Sequence, residues 1–502
     1  MGKQNRTAIT PRRDQDFPKW YQEVVKEAEM AEMAHVRGCM VIKPWGYGMW
    51  EQIQARLGDM IKACGAENAY FPLFIPLKYI QKEAEHVEGF AQEMAVVTHH
   101  RLEKVDGQLV PAGKLTEPLV VRPTSETIIG ESFSKWINSY RDLPLKVNQW
   151  CNIVRWEMRP RVFLRTTEFL WQEGHTAFAT AEEAVTDSLQ MVNVYKQFSE
   201  EWLAVPVISG AKPAYDRFPG AVETYTIEAM MQDGKALQAG TSHDLAQNFS
   251  KAANISFTDS DGEVQFAHTT SWGVSTRLIG AAIMTHGDDD GVRVPPRIAP
   301  LHIVIVPIQR GKDTEQDKAV MNYADNVLER LKGITFADNL PMLAKVDKRL
   351  NSSTEKRWNW VKKGVPVQIE VGPRDIENDN AVMRVRSEES MDKSFVSVDD
   401  LVANASSILD KIQTTYFDQA KKRMDESITD LKSYEELEKF FKSADSYGFV
   451  RAPWLPSDVE DTRLKEMAVT IRCIPFEQKQ EKMRCILTGE ETDSVAIFSK
   501  AY

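Results

Sequence analysis

RWEMRPRVFLRTTEFLWQEGH, residues 155–175, is the stretch on which the fold turns. Strand-like segments flank a turn rich in proline and arginine, a pattern that predicts a β-hairpin. The hairpin brings Arg155, Glu157 and Arg165 near one another, and period-two alternation sets Arg155 and Glu157 on one sheet face. Two guanidinium groups beside a carboxylate suit a nucleotide phosphate, because the planar fork grips phosphate oxygens bidentately. Taken alone, the segment fits a salt-bridged sheet surface equally well.

Working outward, β-rich runs such as LVVRP and QWCNIVRWE alternate with polar turns from Leu119 to about Thr180, while SETIIGESFSKWI reads as a helix. Upstream, Met49, Ile53, Leu57, Met60 and Ile61 recur at helical spacing, and Gly65 supplies the stop. Residues 69–75 then read as a strand that leads out through Pro72 and Pro76. Downstream, Leu278 to Met284 reads as a helix. The tract GDDDGVRVPPRIAP, residues 287–300, joins an acidic run to three prolines and predicts a domain boundary near Pro300. Beyond it, HIVIVPI and PVQIEVG read as buried strands around a helical stripe of Val320, Ala324, Val327, Leu328 and Leu331, which predicts a small α/β domain with a partly parallel sheet. A long helical pattern through Ile408, Ile412 and Tyr416 opens a third region running to Tyr502. No internal repeat is present.

A chain of 502 residues, 42% hydrophobic and 27% charged, is long enough for several packed domains. The N-terminal MGKQNRTAITPRRDQDFPKW lacks the apolar centre of a leader, and no run of about 18 apolar residues occurs, so a cytoplasmic protein without membrane contact is expected. The formal charge of −11 argues against coating nucleic acid through net charge, while leaving room for a local basic face. Cys39, Cys64, Cys151, Cys473 and Cys485 are scattered with no CxxC pair, which predicts buried thiols rather than a disulfide framework or a simple zinc site.

The pattern Arg155-x-Glu157, a loop, then Arg165-x3-Phe169-x3-Glu173 resembles motif 2 of the class II aminoacyl-tRNA synthetases. Gly65-Ala66-x2-Ala69-x2-Pro72-Leu73-Phe74 resembles motif 1, and Gly273-Val274-Ser275-Thr276-Arg277 resembles motif 3. PTSET at 123–127, FLWQEGHTAF at 169–178, IEAMMQDGKALQAGTSH at 227–243, VGPRDIEN at 371–378 and the terminal Lys500-Ala501-Tyr502 resemble the prolyl-tRNA synthetases of the archaeal and eukaryotic type. Threonyl or histidyl relatives share those folds, and a catalytically silent RNA-binding relative is the alternative of another class. The three phosphate-gripping arginines are all present, which favours an enzyme.

The resemblance implies an α/β protein: an α+β catalytic domain with an antiparallel class II sheet at 1–298, an α/β anticodon-binding domain at 299–405 and a small α/β C-terminal domain at 406–502. No large insertion separates motifs 2 and 3, so no inserted editing domain is expected. The implied activity is proline–tRNA ligation, in which L-proline and ATP give prolyl-adenylate and diphosphate, and the prolyl group passes to the 3′ end of tRNA(Pro). Thr124 and Glu126 would close over proline with Glu126 facing the ring ammonium, whose two N–H donors a buried acid can accept. Trp171, Glu173, His175 and His243 would wall the pocket. Arg155 would bridge the proline carboxylate and the α-phosphate, and with Arg277 it carries the catalytic role. Arg165 and Arg277 would hold the outer phosphates and Phe169 would stack on adenine. Glu157, Thr166, Gln238 and Thr241 would complete the nucleotide site, with Mg²⁺ neutralising the phosphates.

In the second domain Lys345, Lys348, Arg349, Lys356, Arg357, Lys362 and Lys363 form a local cationic excess interleaved with Trp358 and Trp360. Lys348, Arg349, Trp358 and Arg374 are the candidates for the anticodon. A solvated charged face with structural tryptophans fits the same residues. A homodimer is implied through motif 1. Two departures stand out. APWLPSDVED has no cysteine where relatives often carry a zinc-binding pair, and Thr488 stands near Cys485 where a thiolate is expected. No tetrahedral set forms, so zinc is expected to be absent. Thr167 also replaces an arginine frequent in relatives.

Overall fold

The computed structural model describes residues 7–84, 93–309, 315–337, 339–387, 392–443, 446–478 and 481–502. The first six residues of the segment read for a leader therefore lie outside the described residues. No described helix is long and apolar enough to cross a membrane.

Residues 155–175 do fold around a hairpin. Leu145–Val154 pairs antiparallel with Glu168–Phe178, from Leu145 opposite Ala177 to Val154 opposite Glu168. The ladder continues only to Arg155, whose N–H donates to Thr167 O at 2.8 Å. Residues 156–166 leave the sheet, so the shared strand face expected for Arg155 and Glu157 does not form. Proline at 160 cannot donate to a ladder. A tight turn closes beyond it, with Arg161 N donating to Arg165 O at 2.6 Å and Phe163 at φ +63°.

The hairpin lies in an antiparallel run whose order is Leu145–Val154, Glu168–Phe178, His268–Ser275, Ala236–Ala246, Glu223–Met230 and Val207–Ala211. Helices Pro44–Ala63 and Ala181–Gln197 back it. Pro44–Ala63 forms where the apolar spacing predicted, burying Met49, Ile53, Leu57 and Ile61, and stops before Gly65 at φ +87°. The single strand expected over 69–75 is instead split. Glu67–Asn68 pairs with the edge of the large sheet, and Phe74–Pro76 joins a separate sheet with Gln108–Val121 and Ala95–Val105. Between them, side chains satisfy the backbone: Phe71 N donates to Gln149 Oε1 at 2.6 Å, and Arg122 Nη1 donates to Phe71 O at 2.7 Å.

The second unit is the expected partly parallel sheet. Ile303–Pro307 lies between Ala344–Val346 and Val367–Val371, all parallel, and Asn380–Val385 and Ser394–Ser397 add antiparallel strands. The tract between the first two units is packed rather than loose. Asp288 accepts from Arg386 Nη2 at 2.6 Å with both side chains buried, and Val292 and Val294 join the core. Helix Val398–Glu426 runs across residues 405 and 406, with Leu401, Ala405, Leu409, Ile412 and Tyr416 in one core cluster with the large antiparallel sheet. The C-terminal strands then extend that sheet: Thr470–Pro475 pairs with Val207–Ala211 through Ile474 opposite Ala211.

Candidate active site

The inner face of the antiparallel run encloses a cavity of about 310 Å³. Alternation explains its floor. Trp171, Glu173 and His175 lie at every second position of Glu168–Phe178 and point to the same side, as do Gln172 and Gly174 to the other. Glu173 is buried and fully engaged. Its Oε1 accepts from Ser125 Oγ at 2.5 Å and Gln149 Nε2 at 2.8 Å, and its Oε2 meets His175 Nε2 at 3.0 Å. Burial pushes the Glu173 pKa up, but the His175, Ser125 and Gln149 bonds outweigh it and hold the carboxyl below its usual range. Burial likewise opposes charge on His175, yet the Glu173 bond and the Glu126 and Glu173 charges raise its pKa. Each group thus favours the charged form of the other.

Glu126 begins the helix Glu126–Trp136 and accepts from Thr124 Oγ1. Arg155 donates through Nε to Pro123 O at 2.7 Å and rests its guanidinium 5.5 Å from the Trp171 ring centroid. Burial lowers the Arg155 pKa while Glu126 and Glu173 oppose that shift. Trp171 is oriented by its Nε1 donating to Cys151 Sγ at 3.2 Å and by edge-on contact with Phe169. His243, on Ala236–Ala246, meets Thr224 Oγ1 at 3.0 Å and packs on Phe218. Burial, then the positive His175 and Arg155, push its pKa down to about 3, so it stays neutral.

At the other end Arg277 opens the helix Arg277–His286. It donates to Gln238 O and Leu164 O, each at 3.2 Å. Burial and the neighbouring Arg165 lower its pKa to about 10, which leaves it cationic at neutral pH. Thr124, Glu126, Arg155, Phe169, Trp171, Glu173, His175, Gln238, Thr241, His243 and Arg277 all line this cavity. Three expected nucleotide residues do not. Glu157 takes Arg159 N at 2.7 Å and lies 3.5 Å from Arg165 Nε, whose side chain is exposed. Thr166 Oγ1 is turned to Glu168 O at 2.7 Å. All three belong to the segment that left the sheet. Thr167 is buried, with its Oγ1 close against Gly38.

Sequence reasoning missed Lys212, Asp216, Arg217 and Phe218, which bring a loop after Val207–Ala211 into the wall. AKPAYDRF has no periodicity to mark it. It also missed Ser271 and Trp272, whose Oγ and Nε1 are buried with no hydrogen-bond partner among the described residues. Only the register that sets Ser271 opposite both His175 and His243 brings them to the site.

In the second unit most of the cationic run is already paired. Lys362 binds Glu27 at 2.5 Å, Lys363 binds Glu29, and buried Lys356 donates to Asp347 O at 3.0 Å. Trp360 is buried, donating to Asp347 Oδ2 at 2.8 Å beside Trp45. Arg349 is tied to Asp347 at 2.6 Å and Lys348 to Asp325 at 2.9 Å, whereas Trp358 and Arg374 are exposed. Cys473 packs with Met230, Phe449 and Ile497, in a different cluster from Cys485. Among the described residues no group of three or more His, Cys, Asp or Glu could hold a metal ion.

Family profiles match three consecutive stretches: "tRNA synthetase class II core domain (G, H, P, S and T)" at 112–286, "Anticodon binding domain" at 302–407 and "Prolyl-tRNA synthetase, C-terminal" at 437–502. The antiparallel sheet, its arginine-bearing cavity and these matches define a class II aminoacyl-tRNA synthetase. The proline–tRNA ligase of Protochlamydia amoebophila is 55% identical over 99% of both chains, and that of Paramagnetospirillum magneticum is 54% identical over 100% of both. A crystal structure of the prolyl-tRNA synthetase from Cryptosporidium parvum complexed with L-proline and AMP superposes with a TM-score of 0.87 at 36% identity, covering 99% of this chain and 97% of that one. The chain belongs to the prolyl-tRNA synthetases, which are aminoacyl-tRNA ligases.

Proposed function

We propose that the chain joins L-proline to tRNA(Pro) in two steps, and that the convergence of Glu126, Glu173, His175 and Arg155 on one end of the cavity carries that reading. The proline ammonium meets Glu126, its ring lies against Trp171 and neutral His243, and Thr124 closes the mouth. Arg155 lies between the carboxylate and the α-phosphate. A carboxylate oxygen forms the bond to the α-phosphorus, the bond to the diphosphate oxygen breaks, and no proton moves. The protein's part is alignment and charge stabilisation. Arg277 offsets charge on the departing diphosphate. Phe169 stacks on adenine, while Gln238 and Thr241 hold the nucleotide. Arg165, exposed and held by Glu157, swings to the outer phosphates as ATP enters, with Thr166 bracing the turn. In the second step the terminal ribose 3′-hydroxyl of tRNA forms the ester and AMP leaves.

The cavity wall offers neutral oxygens at Gln238 and Thr241, and among the described residues its carboxylates form no group that could hold a metal ion, which suits Mg²⁺ that would arrive on ATP. Bound there, it supplies charge neutralisation. No structural zinc belongs to this reading, because Cys473 and Cys485 lie in separate clusters. Lys348, Arg349, Trp358 and Arg374 contact the anticodon, a homodimer forms through the motif 1 region, and the enzyme works in the cytoplasm. Three units, 1–298, 299–405 and 406–502, divide these tasks, with helix Val398–Glu426 linking the last two. ATP–pyrophosphate exchange, measured with each proteinogenic amino acid, tests the activity. Proline-dependent exchange that Arg155→Ala abolishes is the expected result. Exchange with no amino acid, from folded protein, would move the catalytically silent RNA-binding alternative to first place.

A further inference from the structure

Behind the nucleotide end of the cavity lies a charge cluster that the reaction above does not use. Lys212, almost wholly buried in the wall, reaches Asp216 Oδ2 at 2.9 Å and Glu228 Oε1 at 3.4 Å. Glu228 is inaccessible to solvent. Its Oε1 also accepts from Thr226 Oγ1 at 3.0 Å, and its Oε2 takes Arg472 Nε and Nη2 at 3.0 and 2.9 Å. Arg472 comes from the C-terminal strand Thr470–Pro475, 244 residues away in sequence, and is buried. Glu228 is the register partner of Gln238, whose carbonyl holds Arg277. The cluster therefore adjoins the end where the phosphates bind. Lys212 and Arg472 balance Glu228 and Asp216, so the group is neutral. Without Arg472 it would carry one net negative charge beside a polyanionic ligand, in surroundings that screen charge poorly.

We propose that Arg472 is a positioning residue for ATP: by engaging Glu228 it keeps this cluster neutral and leaves the Lys212 ammonium able to turn to the nucleotide phosphates. This rests on the proposed activation of proline by ATP. It gives the C-terminal unit a part in the chemistry of the first step that is separate from any contact with tRNA.

The test is proline-dependent ATP–pyrophosphate exchange, with KM for ATP and for proline measured separately and folding followed by thermal unfolding. Arg472→Met is expected to raise the KM for ATP about tenfold, the scale of one added charge at short range, and leave the KM for proline unchanged. Arg472→Lys keeps the charge and should recover most of the loss. Glu228→Gln removes the negative charge, leaves the cluster net positive and should lower the KM for ATP. The double variant Glu228→Gln/Arg472→Met, again neutral, should return close to the unsubstituted value. A purely structural role predicts instead that the single variants shift both KM values and the unfolding temperature together, and that the double variant is worst; that result overturns the proposal. If Arg472→Met does not fold, the comparison of Glu228→Gln with the double variant decides, and equal KM values for ATP overturn it. Unsubstituted protein that shows no exchange with proline defeats the activity reading itself. Exchange that is normal, with ATP affinity indifferent to Arg472, defeats only this inference.

Discussion

Glu173 and His175 stand two positions apart on one strand, so strand alternation is enough to explain why they meet. Their pH behaviour has opposite signs. His175 has a raised folded pKa, so its contribution is complete below its ordinary value of 6.5 and fades as pH rises through the folded value. Glu173 has a lowered one, so its contribution is complete above 4.5 and fades as pH falls through the folded value. His243, lowered to about 3, stays neutral in the folded protein above that value and so adds no titration of its own to the site near neutrality. The kcat/KM for proline should therefore fall as pH rises above 6.5 through the raised His175 value and the imidazole loses its proton. His175→Gln, which can keep a bond to Glu173 without titrating, should flatten that limb; a limb of the same shape in the variant would assign it to another group. Gly174 carries a second prediction. A Cβ there would lie 2.0 Å from the Trp272 ring, itself buried beneath the floor. Gly174→Ala should cost about 1–3 kcal/mol by overpacking, read from urea denaturation. The Glu173 and His175 pair was legible because one strand carries both. Lys212 and Ser271 were not, because register across four strands, rather than local pattern, brings them to the same wall.

At the scale of elements, the tract GDDDGVRVPPRIAP shows where composition misleads. Acidic residues and prolines do mark the change of unit, yet the chain there is a joint under load. Asp289 O accepts from Ile9 N at 2.9 Å, Asp289 Oδ1 from Arg13 N at 2.8 Å, and Asp288 grips Arg386. Arg293 stacks 4.7 Å over Tyr416, whose hydroxyl donates to Arg386 O at 3.1 Å. Each partner is remote in sequence, so nothing local announces it. Arg386 is 1% exposed, and Asp288→Asn would leave that guanidinium buried without its counter-charge. A loss of about 3–5 kcal/mol is expected from chemical denaturation. Burial raises the Asp288 pKa, but Arg386 lowers it further, so the pair's stabilisation is present above 3.8 and lost as pH falls. The variant should thus lose acid sensitivity along with stability. The hairpin obeys the same logic in reverse. Its strands were legible from alternation, while the departure of Glu157, Arg165 and Thr166 from the cavity follows from a turn whose left-handed Phe163 no propensity foretells.

For the whole molecule, the C-terminal unit prolongs the catalytic sheet, a relation that pattern reading divided into separate domains. The ladder that prolongs it is short, with Ile474 opposite Ala211 and Pro475 opposite Gly210. Gly210 is required there by close approach rather than by backbone angle. A Cβ would sit 2.2 Å from Ile474 O and 2.7 Å from its carbonyl carbon, and backbone atoms in a ladder cannot swing aside as a side chain can. Gly210→Ala must therefore part the two strands. Separation would expose both strand edges and unseat Arg472 from Glu228, because both depend on Thr470–Pro475 staying in register. Two consequences should appear together: an early, separate unfolding step in place of a single transition, and protease cleavage between the helix Val398–Glu426 and residue 470 under conditions where the unsubstituted chain resists. If Gly210→Ala instead unfolds in one step and resists protease, the C-terminal unit is held by its other contacts, the long helix and the terminal residues that bond Ala236, where Ala236 N donates to Lys500 O at 2.9 Å and Tyr502 N to Ala236 O at 3.0 Å, and the path from Arg472 to the nucleotide would run through a joint stiffer than two residue pairs.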